Sequence, residues 1–141
     1  MKFMFRFIIA IVSTFYLMGC AAQPPEGSSQ VNLVSYRAEL KQQFPKAKGF
    51  NLSSKNFDFA VADNGKSVFR PKSATSGLVT VSTVEKFDKD QLCFAKSGGW
   101  SGVCISLARS PSQALLCNIR FGNGSKKVVP CVVEPIFGRD A

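Results

Sequence analysis

Five cysteines and no histidine frame the chemistry open to this 141-residue chain. Without histidine there is no Ser-His or Cys-His nucleophile pair, and the commonest general base and zinc ligand are both missing. The serines do not compensate. No Ser-x-x-Lys occurs, and Gly99-Trp100-Ser101-Gly102 is one residue short of a Gly-x-Ser-x-Gly elbow. Paired carboxylates of a glycosidase need a shared cleft, whereas Glu26, Glu39, Asp63, Glu134 and Asp140 fall in turns, on a helix surface or near the termini. Asp88-x-Asp90 lacks calcium-loop spacing. The tip Gly122-Asn123-Gly124-Ser125-Lys126-Lys127 would offer backbone N–H groups and two ammoniums to an anion, yet it lacks phosphate-loop spacing and reads first as a hairpin turn. No Cys-x-x-Cys knuckle is present. These residues predict a non-enzyme with no cofactor and no metal site.

The first 19 residues differ in composition from the rest. They hold all three Met and four of the 13 Phe, with no acidic residue. Lys2 and Arg6 form a positive n-region, and Phe7 to Met18 is an apolar run of about twelve residues, too short to cross a bilayer of roughly 30 Å as a helix and suited to an export signal. The segment ends in Leu17-Met18-Gly19-Cys20-Ala21, which resembles the lipobox of bacterial lipoproteins, Met18 being bulkier than the usual residue. The resemblance implies cleavage before Cys20, a diacylglyceryl thioether on its sulfur and an N-acyl chain such as palmitate on its amine. Because Ala21 is not the Asp that commonly retains such proteins in the inner membrane, it also implies the outer membrane, with the domain facing the periplasm. Assigning Cys20 to lipid leaves Cys93, Cys104, Cys117 and Cys131, an even set suited to disulfides in an oxidising compartment.

The elements that must position these residues follow from periodicity. Residues 20–30 carry a Pro, Gly and Ser-rich stretch and read as lipidated cysteine plus flexible tether, with one domain over 31–141. Leu33, Tyr36, Leu40 and Phe44 recur at helical spacing between a capping Asn32 or Ser35 and Pro45. After residue 50 the period falls to two. Phe57, Phe59 and Val61 alternate with Asp58, Ala60 and Ala62, a turn follows at Asp63-Asn64-Gly65-Lys66, and Ser67 to Arg70 leads back. Leu78 to Val84 reads as a further strand, with Glu85 to Gln91 as a polar connector or helical turn. A Gly98-Gly99 turn sets Phe94 opposite Val103 and Cys93 opposite Cys104, on the face away from Leu92, Phe94, Val103, Ile105 and Leu107. In the last hairpin an Asn123-Gly124 type I′ turn puts Cys117 opposite Pro130, so a bulge, or a three-residue loop, is needed to reach Cys131. Turn chemistry therefore favours Cys93–Cys104 with Cys117–Cys131, crossed pairing staying open. The expected class is α+β, an N-terminal helix packed on an antiparallel meander stapled by disulfides.

Removal of Lys2 and Arg6 leaves a mature chain with a net charge of +7, since the whole chain carries 18 basic and 9 acidic side chains. In an envelope compartment such a surface meets anionic lipid headgroups, lipopolysaccharide or peptidoglycan before any nucleic acid. Arg120, Lys126 and Lys127 form the best local cluster because one hairpin fixes them, and Trp100, the only tryptophan, is a candidate for stacking on a partner. The expected function is a non-enzymatic lipid-anchored envelope protein that binds or assembles envelope components. The alternatives are an inhibitor of lysozyme or another secreted enzyme, to which the positive charge is ill suited for a basic lysozyme, and an accessory lipoprotein of a secretion or conjugation system. Cells fed a clickable fatty acid should label the parent chain and not Cys20→Ser; label that survives the substitution contradicts lipidation at Cys20.

Overall fold

The computed structural model describes residues 23–72, 80–96 and 101–138. Cys20, Trp100 and the Gly98-Gly99 turn lie outside the described residues. The chain runs β1 (Ser29–Gln30), α1 (Leu33–Gln43), β2 (Gly49–Ser54), β3 (Phe57–Ala62), β4 (Lys66–Pro71), β5 (Thr80–Phe87), β6 (Leu92–Phe94), β7 (Val103–Arg109), β8 (Leu115–Phe121) and β9 (Lys126–Ile136). Each of β2 to β9 pairs antiparallel with the next, and β9 pairs back onto β2. The result is a closed eight-stranded up-and-down barrel, mostly β, with one short helix and two disulfides. This corrects the expected α+β class. The helix does not cover the face of an open sheet; the hydrophobic core lies inside the barrel, and closure removes the edges that an open meander would expose.

Closure turns on β9. Its first half, Lys126 to Pro130, pairs with β8, and its second half, Cys131 to Ile136, pairs with β2. Pro130 has no N–H to donate and sits where the strand changes partner, the kind of position at which proline is tolerated in a sheet. The disulfide Cys117–Cys131 fastens this seam from inside. Its Cα atoms are 5.8 Å apart, and the two residues are 0% and 6% exposed. The register differs from the expected one. Arg120 faces Lys126 and Phe121 N–H donates to the Ser125 carbonyl, so Gly122-Asn123-Gly124 is a three-residue loop and Cys117 faces Val129. Cys131 is then the diagonal neighbour of Cys117 on the same face, and no bulge is required. The other disulfide matches its expected register. Cys93 faces Cys104 with Cα atoms 4.1 Å apart, on the outer side of strands whose Leu92, Phe94, Val103, Ile105 and Leu107 point inward and are buried.

One half of the barrel interior is filled by rings. Phe59, 1% exposed, stacks on Phe69 and Phe94 with centroids 4.6 and 5.4 Å away and meets Phe57 edge-on at 5.0 Å. Offset and edge contacts of this kind add about 1 kcal/mol per pair beyond burial. Two strands depart from the sequence reading. β2 was not expected as a strand, and β5 runs on through Glu85 and Lys86 to Phe87 where a connector was expected, with a register shift between Val84 and Lys86. Ser29 and Gln30, in the expected tether, pair with Arg109 and Ala108 along the stretch of β7 beyond β6.

The two disulfides close loops of similar length, 11 and 14 residues apart in sequence, so chain entropy assigns each about 3 kcal/mol. Position separates them. Replacing Cys117 and Cys131 together by alanine should destabilise the domain by about 1–2 kcal/mol more than replacing Cys93 and Cys104, because the former pair also leaves a void in the core. Equal losses in chemical denaturation would contradict the seam assignment.

Candidate functional site

Closure gives the barrel two unlike ends. At one, α1 spans the opening. Asn32 caps the helix by accepting from Ser35 N–H at 3.1 Å, and the Leu33 N–H donates to the Lys89 carbonyl in the β5–β6 turn. That turn is stiffened by Asp88, whose carboxylate accepts from the N–H groups of Asp90 and Gln91 and pairs with Lys86 at 3.0 Å. Lys86 first and these backbone bonds next hold Asp88 down to about 2. At its far end α1 reaches the β3–β4 turn, where Asp63 pairs with Lys41 at 2.6 Å and Arg37 at 3.4 Å. Lys41 also donates to the Ala47 carbonyl, and Arg37 lies over the Phe87 ring at 5.1 Å. The hydrogen bond from Lys41 is the main force drawing Asp63 below the ordinary carboxylate range. Phe44, at the C-cap, leaves the helix face and packs with Leu40, Ala47 and Phe50 in a second small core.

Between α1 and the barrel interior lies a cavity of about 120 Å³. Leu33, Tyr36 and Leu40 form its roof, and Phe50, Leu52, Val84, Leu92, Leu107 and Val133 supply its walls. Arg37 and Asp63, both partly exposed, stand at its rim. Burial pushes the Tyr36 hydroxyl above its ordinary value of 10.0, against the opposing charge and hydrogen bond of Arg109. Sequence reading assigned the helix stripe to docking on a sheet and missed this cavity. No local signal encodes it, because its walls come from strands scattered along the chain.

The opposite end carries the charge. It gathers the β2–β3, β4–β5, β6–β7 and β8–β9 connections. Among the described residues these connections and the adjoining strand segments hold Lys55, Arg70, Lys72, Lys96, Arg120, Lys126 and Lys127 against two carboxylates, Asp58 and Glu85, the latter in one groove with Lys96 and Arg120. Burial works to raise Asp58, but hydrogen bonds from Ser53, Lys72 and Asn51 outweigh it and leave the carboxyl lowered. Its ion pair with Lys72 is 3.3 Å. The helix-capped end mixes both signs, with Lys46, Lys48, Lys66 and Arg109 as well as Arg37, Lys41, Lys86 and Lys89 set among Glu39, Asp63, Asp88, Asp90 and Glu134.

The expected cationic cluster is partly assembled. Arg120 and Lys126 are cross-strand partners on the outer face, exposed, and no carboxylate forms an ion pair with either among the described residues. Lys127 faces Ile119 and is one residue out of phase, so it leaves the strand toward the barrel mouth. The register adds a residue the sequence did not single out. Lys86 faces Cys93, Cys93 faces Cys104, Cys104 faces Arg120 and Arg120 faces Lys126, one outward row across five strands. Gln23 and Pro24 border a groove on this face together with Ser106, Asn118, Arg120 and Lys126. Among the described residues no three Cys, Asp or Glu side chains come together as metal ligands. The chain matches no protein-family model, and neither a curated protein sequence nor a solved structure resembles it significantly.

The Asp63 pairs tie α1 to the barrel in a pH-dependent way. A lowered folded-state pKa means the contribution is fully present above the unfolded value near 3.8 and is lost as pH falls through the lower folded value. Solvent screens these exposed pairs, so the effect is local and small. Amide protection factors in α1 should fall several-fold relative to β7 and β8 between pH 6 and 2.5, and Asp63→Asn should show the low-pH pattern at pH 6. Protection in α1 that stays constant relative to the barrel would contradict this attachment.

Proposed function

We propose that this protein is a non-enzymatic lipoprotein of the bacterial cell envelope, held in the outer membrane through Cys20, whose barrel binds an anionic envelope surface with its basic end. The observation that carries the reading is the cation cluster at that end: seven basic side chains against two carboxylates, Asp58 and Glu85, among the described residues. Attraction of roughly 1 kcal/mol per cation near a charged surface adds up only when the cations share a face. Here they do, and the fold is stiff enough to present them together.

The covalent path to the anchor supports the same reading. Gln23 and Pro24 lie in the groove beside Arg120 and Lys126. Gln23 is three Cα-to-Cα steps from Cys20, a reach of at most about 11 Å. A lipid on Cys20 therefore brings the headgroups of the anchoring leaflet close to these two cations, so phosphate groups of that leaflet are the nearest anions. The two disulfides fit an oxidising, extracytoplasmic compartment.

Lipid-free protein carrying Cys20→Ser should co-sediment with anionic phospholipid vesicles or with peptidoglycan at low ionic strength. The binding should fade as salt shortens the Debye length to about 10 Å at 0.1 M. Arg120→Glu with Lys126→Glu, on an exposed face where folding is little affected, should weaken it by roughly tenfold or more. No binding to either surface at low salt, or binding unchanged in the double variant, would overturn the proposal.

A further inference from the structure

The barrel is packed unevenly along its axis. Phe57, Phe59, Phe69 and Phe94 fill the half toward the basic end. The half beneath α1 is walled by aliphatic side chains and two phenyl rings, Phe50 and Phe87, and retains a cavity of about 120 Å³. Its polar groups are few: the Tyr36 hydroxyl, which interacts with Arg109, and the Arg37–Asp63 pair at the exposed rim. A water needs two to four polar partners to stay in such a space, whereas aliphatic cavities of roughly 150 Å³ remain dry and take up benzene. The helix that closes the cavity is attached by its cap, by turn contacts and by exposed ion pairs, and no strand pairs with it. It can move aside without breaking a ladder hydrogen bond.

We propose that this cavity is a binding site for a small, uncharged aromatic molecule of about six to eight non-hydrogen atoms, admitted beside α1. Size sets the upper limit, and the few polar groups of the lining already have partners, Tyr36 in Arg109 and Arg37 in Asp63, so the desolvation of a charged ligand would go unrepaid. The rings of Tyr36, Phe50 and Phe87, which line the cavity, favour a flat aromatic guest that can meet them face-offset or edge-on. The inference goes beyond the envelope reading and does not depend on the lipid or on the basic end.

The test is titration of the disulfide-intact Cys20→Ser protein with benzene, indole and benzoate, followed by methyl NMR and thermal denaturation. Benzene should bind saturably in the millimolar range or tighter. Its shifts should be confined to the methyl groups that line the cavity, those of Val61 and Ala62 included, and the melting midpoint should rise by a few degrees as ligand binds only the folded state. Benzoate should bind at least about tenfold more weakly. Val84→Phe, which fills the cavity, should abolish benzene binding. Leu40→Ala, which enlarges it from the helix side, should shift preference toward indole and keeps the test decisive should Val84→Phe not fold. Shifts scattered over the surface, equal binding of benzoate, or no gain for indole in Leu40→Ala would overturn the proposal.

Discussion

The pairing of β9 with two partners is the constraint on which the rest depends. A single eleven-residue strand gives its first half to β8 and its second half to β2, and this is what joins the end of the meander to its beginning. Pro130 marks the change of partner, and Cys117–Cys131 locks it at a point where both residues are buried. Without this seam β2 and β9 would each present an unpaired edge, and the inward phenyl stack would face solvent. Closure converts a string of local hairpins into an enclosed core, and it does so through contacts some eighty residues apart, such as Leu52 with Val133. Neither disulfide spans that distance; Cys117–Cys131 ties β8 to β9, 14 residues apart in sequence, at the point where β9 turns to β2.

A closed barrel has ends in place of edges, and the two ends carry different chemistry. One is roofed by α1, whose cations are matched by Asp63 and which covers an apolar space. The other gathers seven cations against Asp58 and Glu85, among the described residues, where strands turn. The outward row from Lys86 through the Cys93–Cys104 bridge to Arg120 and Lys126 runs across the sheet that joins them. The bridge holds the β6–β7 end of that row, so rigidity and charge presentation are aspects of one arrangement.

Local features were legible from sequence because local physics determines them. Asn32 ahead of Leu33, Tyr36 and Leu40 marked a capped helix, and the structure has it over Leu33–Gln43. Alternation through Phe57, Phe59 and Val61 and the Asp63-to-Lys66 turn marked a hairpin, and β3 pairs antiparallel with β4 across that turn. Counting back from Gly98-Gly99 paired Cys93 with Cys104. What escaped was either disguised or non-local. β2 is Gly-Phe-Asn-Leu-Ser-Ser, poor in strand formers, and is held by neighbours on both sides. Glu85 and Lys86 read as a connector, yet a strand on a barrel wall carries polar residues outward as a matter of course. The last hairpin slipped by one residue because Asn123-Gly124 suggests a two-residue turn while the Phe121 N–H bonds to Ser125. Of the candidate site, the partnership of Arg120 and Lys126 was readable from hairpin proximity, whereas the place of Lys86 in their row, the gathering of seven cations at one end and the cavity exist only once the barrel closes.

The central claim is that closure, and it is open to one direct measurement. In a nuclear Overhauser spectrum of the disulfide-intact domain, closure predicts interstrand cross-peaks between backbone protons of β2 and the second half of β9, with Leu52 opposite Val133 and Asn51 opposite Glu134, alongside those joining β8 to the first half of β9. Slow amide exchange should accompany them on both strands. Cross-peaks for the meander from β2 to β9 with none between β2 and β9, and fast exchange on β2, would describe an open sheet and contradict the account.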